Sequence, residues 1–356
     1  RRASDEVLNG APEAGSATSR GVKVLWVLLP ACASTLLLAI TNHLTQNVAS
    51  VPFLWVLPLS LYLLSFILCF EGRTWYQRGL FLRLFAVAVG GLTYLLWSQF
   101  INPRLLFLLP LLLAALFVCC MVFHGELARL KPPSSELTSF YLMMAVGGAL
   151  GGLFVGLVAP RVFNDFWELP MAIGGGAVLI LVVLRRDPES PFYGPWWRPA
   201  WLMGVALTLA VITNMVVAAR HDRLDARVKL RNFYGTLRVV DVTPASIVLI
   251  QGDRAQRIET GSGMRELLHG TTNHGSQFLR ADKRRQPATY YGLNSGIGRA
   301  LRELRRRGPL RVGVLGLGAG AIACYSAAGD HFTFYEINPL VIRLAREEFS
   351  FLTDSP

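Results

Sequence analysis

Gly316, Gly318 and Gly320 stand at alternate positions directly after an apolar run, Val312 to Leu315, and Glu336 ends the next such run, Phe332 to Tyr335. Residues without a Cβ suit a tight turn in which the backbone closely approaches a ligand. A carboxylate at the end of the following strand is placed to accept hydrogen bonds from ribose hydroxyls, because ligands of open α/β sheets sit at the carboxyl ends of the strands. The stretch from Val312 to Glu336 therefore reads as strand, glycine turn, small-residue helix, strand and acid. Glycine-rich turns also arise for packing alone.

Two polar and aromatic stretches precede it. Leu268 to Gln277 contains His269 and His274, and Pro287 to Tyr291 contains Tyr290 and Tyr291. Both lack a core pattern and read as loops, where functional side chains concentrate. Ser295 to Arg307 reads as a helix whose closing Arg305-Arg306-Arg307 complements its dipole. Gly235 to Val242, Ser246 to Gln251 and Gln256 to Thr260 read as short strands joined by turns at Thr243-Pro244 and Gly252-Asp253.

Everything before these elements is of another kind. Of the 356 residues, 53% are hydrophobic and only 16% are charged, well outside the balance of a soluble domain. Apolar spans run Val22 to Leu44, Val51 to Phe70, Phe81 to Phe100, Leu105 to Phe123, Leu137 to Ala159, Met171 to Leu184 and Trp201 to Ala219. Most are near the roughly 20 residues of a bilayer-crossing helix. The net charge of +12 follows the flanks of these spans and the last third of the chain, as loop charge and anionic lipid require, and does not call for nucleic acid. The cysteines have no metal-type spacing and imply neither disulfides nor a metal site.

Within the spans, Gly147, Gly148, Gly151, Gly152 and Gly156 form small-residue rows that let helices approach, and Pro30, Pro58 and Pro110 each remove a helix hydrogen bond. No intramembrane charged pairs mark a transport path. Asn42, His43, Thr45, Gln46 and Asn47 read as an interfacial loop rather than the lining of a substrate entrance, and His124 to Arg129 as a solvated loop after the fourth span rather than a contact to the C-terminal domain or a head group. Seven crossings would put Arg20, Lys23, Arg73, Arg78, Arg129, Lys131, Arg185, Arg186 and Arg198 on one side, with only Arg104 and Arg161 and everything after Ala219 on the other. The positive-inside rule would then place the C-terminal part outside. A non-spanning Met171 to Leu184, six crossings in all, removes that conflict and is the preferred expectation.

The domain organisation expected is thus a flexible linker at 1–21, a helical transmembrane region at 22–219 with six or seven spans, a small β domain at 220–270, and the N-terminal part of a Rossmann-like nucleoside-binding domain at 271–356. The chain stops at Pro356 soon after a second βα unit begins, whereas a nucleotide-binding sheet has more strands, so a piece of a longer and, by itself, inactive chain is expected.

In this order the chain resembles the membrane-fused spermidine synthase-like proteins, an integral membrane region followed by a polyamine aminopropyltransferase-type domain. The resemblance rests on VPFLWVLPLSLYLLSFIL from Val51, HGELARLKP from His124, LTSFYLMMAVGGALGGLF from Leu137, RNFYGTLRV from Arg231, HGTTNHGSQ from His269, PATYYGLNSGIG from Pro287 and the glycine turn. It implies a multi-domain fold: a transmembrane helical bundle, a small β-meander and an incomplete Rossmann-like, methyltransferase-type α/β domain. It implies transfer of an aminopropyl group from decarboxylated S-adenosylmethionine, as co-substrate, to a small-molecule amine, without a metal. Gly316, Gly318 and Gly320 would then pass under the donor and Glu336 would hold its ribose. Gln277 would face the donor tail, and Tyr290, Tyr291, His269 and His274 the substrate. The catalytic Asp would lie beyond Pro356. A bacterial inner-membrane protein with its C-terminal domain in the cytoplasm, in contact with lipid, is implied. His269, Tyr291 and Asn338 depart from the family pattern, where Asp, His and Asp are usual, and leave the acceptor open. Other readings of the same residues are an S-adenosylmethionine-dependent methyltransferase, a nicotinamide dehydrogenase, and a transporter whose C-terminal domain regulates it.

Overall fold

The computed structural model describes residues 18–47, 51–72, 75–97, 105–224, 226–242, 247–251, 254–258 and 263–356. Most of the linker expected at 1–21, the turns Thr243-Pro244 and Gly252-Asp253, and Arg73 and Arg104 lie outside the described residues.

Helices α1 (Arg20–Asn47), α2 (Phe53–Glu71), α3 (Arg78–Trp97), α4 (Leu105–Arg129), α5 (Leu137–Leu153), α6 (Ala159–Val162), α7 (Glu168–Arg186) and α8 (Pro199–Leu224) form the apolar half. A π-helical turn, Phe154–Val158, joins α5 to α6. Seven of the helices, counting α5 through α6 as one, are long and apolar enough to cross a membrane, as befits an integral membrane protein. Met171 to Leu184 belongs to the 19-residue α7, which is long and apolar enough to cross, because Glu168-Leu169-Pro170 and Arg185-Arg186 extend the short apolar run at both ends; its length is thus no reason to expect that it does not cross.

The bundle is arranged around α1. Trp26, Leu29, Ala33, Leu36, Ile40 and Leu44 recur every three or four residues and are all buried, the spacing of one helix face. That face meets α2, α4, α5 and α7. The closest approach is to α5, where a Cβ on Gly147 would overlap the Val27 carbonyl and one on Gly151 would overlap the Ala31 carbonyl. The two glycines and the two carbonyls each stand four residues apart, so one ridge of α1 backbone lies in a groove of missing side chains. By contrast, α8 packs at the edge against α3 and α7, its described side chains exposed or half-buried except for the buried Met215.

Two stretches expected to be loops are helical. Asn42 to Asn47 form the last turns of α1, and His124 to Arg129 the last turns of α4. Glu126 is buried there, accepting from Arg78 Nε at 2.9 Å, Arg78 Nη2 at 3.1 Å and Tyr76 Oη at 2.8 Å. Arg78 also pairs with Asp187. The ring of Tyr76 covers Gly125 so closely that no Cβ would fit. An Arg at the start of one span neutralises an acid at the end of the next, which is why this acid is not solvated.

After α8 come β1 (Val228–Asn232), β2 (Gly235–Val242), β3 (Ile247–Gln251), β4 (Arg254–Ile258), β5 (Met264–His269) and β6 (Thr272–Phe278). An antiparallel sheet has the order β1-β2-β5-β6, and β3 with β4 forms a separate hairpin. The sheet runs on to Phe278, past the boundary expected at 270, because His269 pairs with Thr272 across a tight turn and the register continues to Met264 with Phe278. Then follow α9 (Gly296–Arg305), β7 (Arg311–Leu315), β8 (His331–Tyr335), α10 (Pro339–Glu347) and α11 (Phe351–Asp354). β7 and β8 are parallel, Val312 beside Phe332 and Leu315 beside Tyr335. In place of the expected helix after the glycines there is only a 3-10 turn, Ala321–Tyr325. Asp330 accepts from the N–H groups of Ala327 and Leu310, and this turns the chain into β8 before a helix can extend.

The antiparallel sheet shares one core with the glycine turn and α10, made of Leu237, Val239, Leu267, Ala319, Leu344 and Phe349. They are joined to the bundle through β1. Arg231 donates from Nη1 and Nη2 to the two oxygens of Glu168 at 2.9 and 2.7 Å, with 3% and 1% of the two side chains exposed. Its guanidinium also reaches the Asp165 carbonyl at 2.5 Å and lies 4.3 Å over the Phe166 ring, while Lys229 pairs with the Asp165 carboxylate at 2.5 Å.

Gly147→Val is expected to lower stability by about 1–3 kcal/mol through overpacking, whereas Gly148→Val, which meets no atom within 4 Å, is expected to be nearly neutral. Thermal unfolding in detergent followed by circular dichroism distinguishes them; equal losses would contradict the close α1–α5 contact. Arg231→Ala leaves Glu168 buried without its partner, a change that costs on the order of 3–5 kcal/mol, and hydrogen exchange of the β1 amides should accelerate; unchanged exchange would show that the pair does not hold the strand.

Candidate functional site

The glycine turn leaves the carboxyl end of β7, and its three glycines all have positive φ: 88° at Gly316, 56° at Gly318 and 81° at Gly320, the region that favours glycine. Their surroundings differ. A Cβ on Gly318 would overlap the His274 carbonyl, and the neighbouring Ala319 N–H donates to that same carbonyl at 3.1 Å. The close backbone approach inferred from the sequence is thus, at Gly318, an approach to strand β6 of the same chain. Around Gly316 a Cβ would meet nothing within 4 Å, so the turn is open to a ligand on that face.

Glu336 fixes the turn from the end of β8. Its Oε2 accepts from Leu317 N–H at 2.9 Å and its Oε1 from Asn338 N–H at 2.9 Å. A carboxylate has about four lone-pair directions, so two remain for hydroxyl donors once the backbone has taken these. Asn338 is structural: its Oδ1 caps α10 through Leu340 N–H at 3.0 Å and accepts from Asn232 Nδ2 at 2.7 Å, tying the glycine region to the β1–β2 turn.

The hairpin of β5 and β6 brings the two histidines together, their ring centroids 5.6 Å apart. His269 Nε2 donates to the Tyr234 carbonyl at 3.0 Å. Burial lowers the pKa of His274, the neighbouring His269 lowers it further, and Glu336 opposes the shift. Tyr290 and Tyr291 stand together, centroids 4.5 Å apart, on a short 3-10 turn that begins at Thr289 with φ 53°, an unfavourable value for a β-branched residue. The Tyr290 hydroxyl donates to the Asn273 carbonyl at 3.2 Å, which holds this ring against the histidine hairpin. Tyr291 offers its carbonyl to the Tyr325 hydroxyl at 2.6 Å.

Gln277 is placed differently from the rest. Its Nε2 donates to the Arg284 carbonyl at 3.0 Å and to Ser350 Oγ at 2.9 Å, and its Oε1 accepts from Ser350 N–H at 3.0 Å. The side chain is buried and engaged at both ends, so it joins β6 to the segment after α10 and does not face a donor tail. Gly316, Gly318, Glu336, His269, His274 and Tyr290 do form one connected group; Gly320 shapes the turn toward Phe351 and Leu352.

Gln46, read from the sequence as part of an interfacial polar cluster, is a further neighbour of this group. A Cβ on Gly235 would meet both His269 Nε2 and, at 3.0 Å, Gln46 Oε1, so the end of α1 reaches the candidate site. The sequence reading missed Leu317 N–H, Asn232 and Ser350 as the partners that hold site residues. Among the described residues, no group of three or more His, Cys, Asp or Glu could hold a metal ion. Comparison with protein families, curated proteins and solved structures finds no match to the chain.

Because the folded-state pKa of His274 lies below its usual value, the native state binds a proton there less readily than the unfolded chain. This contribution to stability is present above about pH 6.5 and is lost as pH falls below it. Unfolding midpoints compared at about pH 7.5 and about pH 5.5 should converge in His274→Asn relative to the parent; an undiminished pH dependence would place the effect elsewhere.

Proposed function

We propose that the chain carries the donor-binding part of a membrane-bound aminopropyltransferase of the spermidine synthase-like type, acting on decarboxylated S-adenosylmethionine and an amine. The observation that carries the reading is Glu336. Its carboxylate joins the glycine turn and the end of β8 through two backbone N–H groups and keeps acceptor capacity for a ribose beside the open face of Gly316. The parallel β7–β8 pair and the glycine turn between its strands would then belong to a Rossmann-like, methyltransferase-type sheet.

The donor is a sulfonium and already activated. The lone pair of an unprotonated amine attacks the aminopropyl carbon next to sulfur, the C–N bond forms as the C–S bond breaks, and the electron pair stays on sulfur, releasing methylthioadenosine. The proton lost by the amine passes to water, and His274, which burial keeps neutral, adds no positive charge against the cationic donor. Holding the amine beside the donor supplies the rest, since orientation alone can contribute several kcal/mol.

The donor is a cytoplasmic metabolite, so the reading places the C-terminal half in the cytoplasm. With the segment after α8 counted, Arg220, Arg223, Arg227, Lys229 and Arg231 join Arg104 and Arg161, seven basic residues against nine on the other face; the positive-inside rule still favours the opposite orientation, and the placement rests on the donor alone.

Calorimetry of the membrane-reconstituted chain tests the donor. Decarboxylated S-adenosylmethionine should bind more tightly than NAD, and Glu336→Gln should weaken it about 10–100-fold, the loss of hydrogen bonds to a charged group. Tighter binding of NAD would overturn the proposal, and tighter binding of intact S-adenosylmethionine would replace it with methyl transfer. Labelling of a cysteine placed at Asp282 by an impermeant maleimide in intact cells would overturn the orientation.

A further inference from the structure

On the membrane face that carries Arg78 and Arg129, an apolar groove runs between the first half of α1 and the second half of α7. It encloses about 410 Å³ and is lined by Val24, Leu28 and Cys32 on one wall and Gly175, Val178 and Val182 on the other, with Gly21 and Arg186 at its mouth. Both ends of the groove lie 11 residues apart along each helix: Gly21 to Cys32 on α1, Arg186 to Gly175 on α7. At 1.5 Å per residue this is roughly 17 Å, about half of the roughly 30 Å hydrocarbon core. The groove therefore has the length of one leaflet and stops near the bilayer midplane.

Among the described residues, most cations of this face are paired, and of those that are not, Arg20, Lys131 and Arg186, it is Arg186 that lines the groove. Arg78 is paired with Glu126 and Asp187, Arg129 with Asp187 and Glu189, and Lys23 with Glu136, while Arg185 lies over the Trp201 ring. Arg186 is exposed, and no acidic side chain pairs with it among the described residues. Its guanidinium lies against Gly21, 3.0 Å from where a Cβ would stand, next to Arg20 at the start of α1. The absence of a side chain at Gly21 is what lets this cation sit over the end of the groove. At the other end, a Cβ on Gly175 would meet nothing within 4 Å, and the groove keeps its width.

We propose that this groove binds one anionic glycerophospholipid from that leaflet, an acyl chain lying along Val24, Leu28 and Cys32 and the headgroup phosphate on Arg186. An apolar slot of one-leaflet length favours an acyl chain over a compact solute. An unpaired guanidinium at headgroup level favours an anionic head, which it can engage with two parallel N–H donors. The site is remote from the glycine turn, on the opposite face of the bilayer, and does not depend on the proposed transfer reaction.

The test uses the full chain reconstituted in nanodiscs of phosphatidylcholine containing phosphatidylglycerol, released into a neutral detergent and examined by native mass spectrometry. The expected result is saturable retention of a single phosphatidylglycerol in preference to phosphatidylcholine. Arg186→Gln should lower it about fivefold, the worth of one basic residue near the headgroups. Gly175→Leu, which fills the slot without touching the cation, should lower it as well, and Lys131→Gln, an exposed charge on the same face but outside the groove, should not. Helical circular dichroism identifies any variant that fails to fold. Equal retention of the two lipids by the parent chain, or an equal loss in Lys131→Gln and Arg186→Gln, would overturn the site.

Discussion

The pair of Arg231 and Glu168 is the interaction on which the relation between the two halves depends. Burying two opposite charges is costly, and the attraction between them offsets that cost only when the geometry is good and the remaining donors are satisfied. Here the contact is bidentate, a further guanidinium hydrogen bond goes to the Asp165 carbonyl, and the flat face lies on Phe166. A lysine could not reproduce this planar fork. The pair thus sets where β1 starts relative to α7. Through the register of β1 with β2, Leu230 beside Leu237 and Asn232 beside Gly235, it sets the position of the whole antiparallel sheet.

That placement has consequences along the chain of contacts. Asn232, next to Arg231, reaches Asn338, whose N–H is held by Glu336, whose other oxygen holds Leu317 in the glycine turn. The membrane bundle and the candidate donor site are therefore separated by a short series of directed hydrogen bonds. A shift of β1 on the bundle would be felt at the turn, and the nearness of Gln46 to Gly235 and His269 brings an acceptor at the bilayer surface within reach of the same group.

Much of this was legible in the residues and some was not. Apolar length marks the spans, and glycines after an apolar run followed by an acid mark the turn and Glu336, because these are local signals. The periodic rows of Gly147 and Gly151 announce close packing, though not the partner, which is α1. His124 to Arg129 shows where local reading stops: the segment looks like a solvated helix end until Arg78 and Tyr76, some fifty residues earlier, are brought beside Glu126. Gln277 shows the same limit from the other side, since its type suits a substrate contact and only the position of Ser350 reveals that its amide is already engaged. For Met171 to Leu184, the apolar run alone was shorter than the helix, and the charged residues that complete the helix at both ends are the ones that meet water or β1.

The clamp at Glu168 gives the passage from α8 into β1 a mechanical meaning. Chain continuity alone would hang the C-terminal sheets from one helix end. Arg231 on Glu168, Lys229 on Asp165 and Gln46 beside Gly235 tie them as well to α7, to the loop before it and to the end of α1, so the load on the glycine turn is shared among several elements of the bundle.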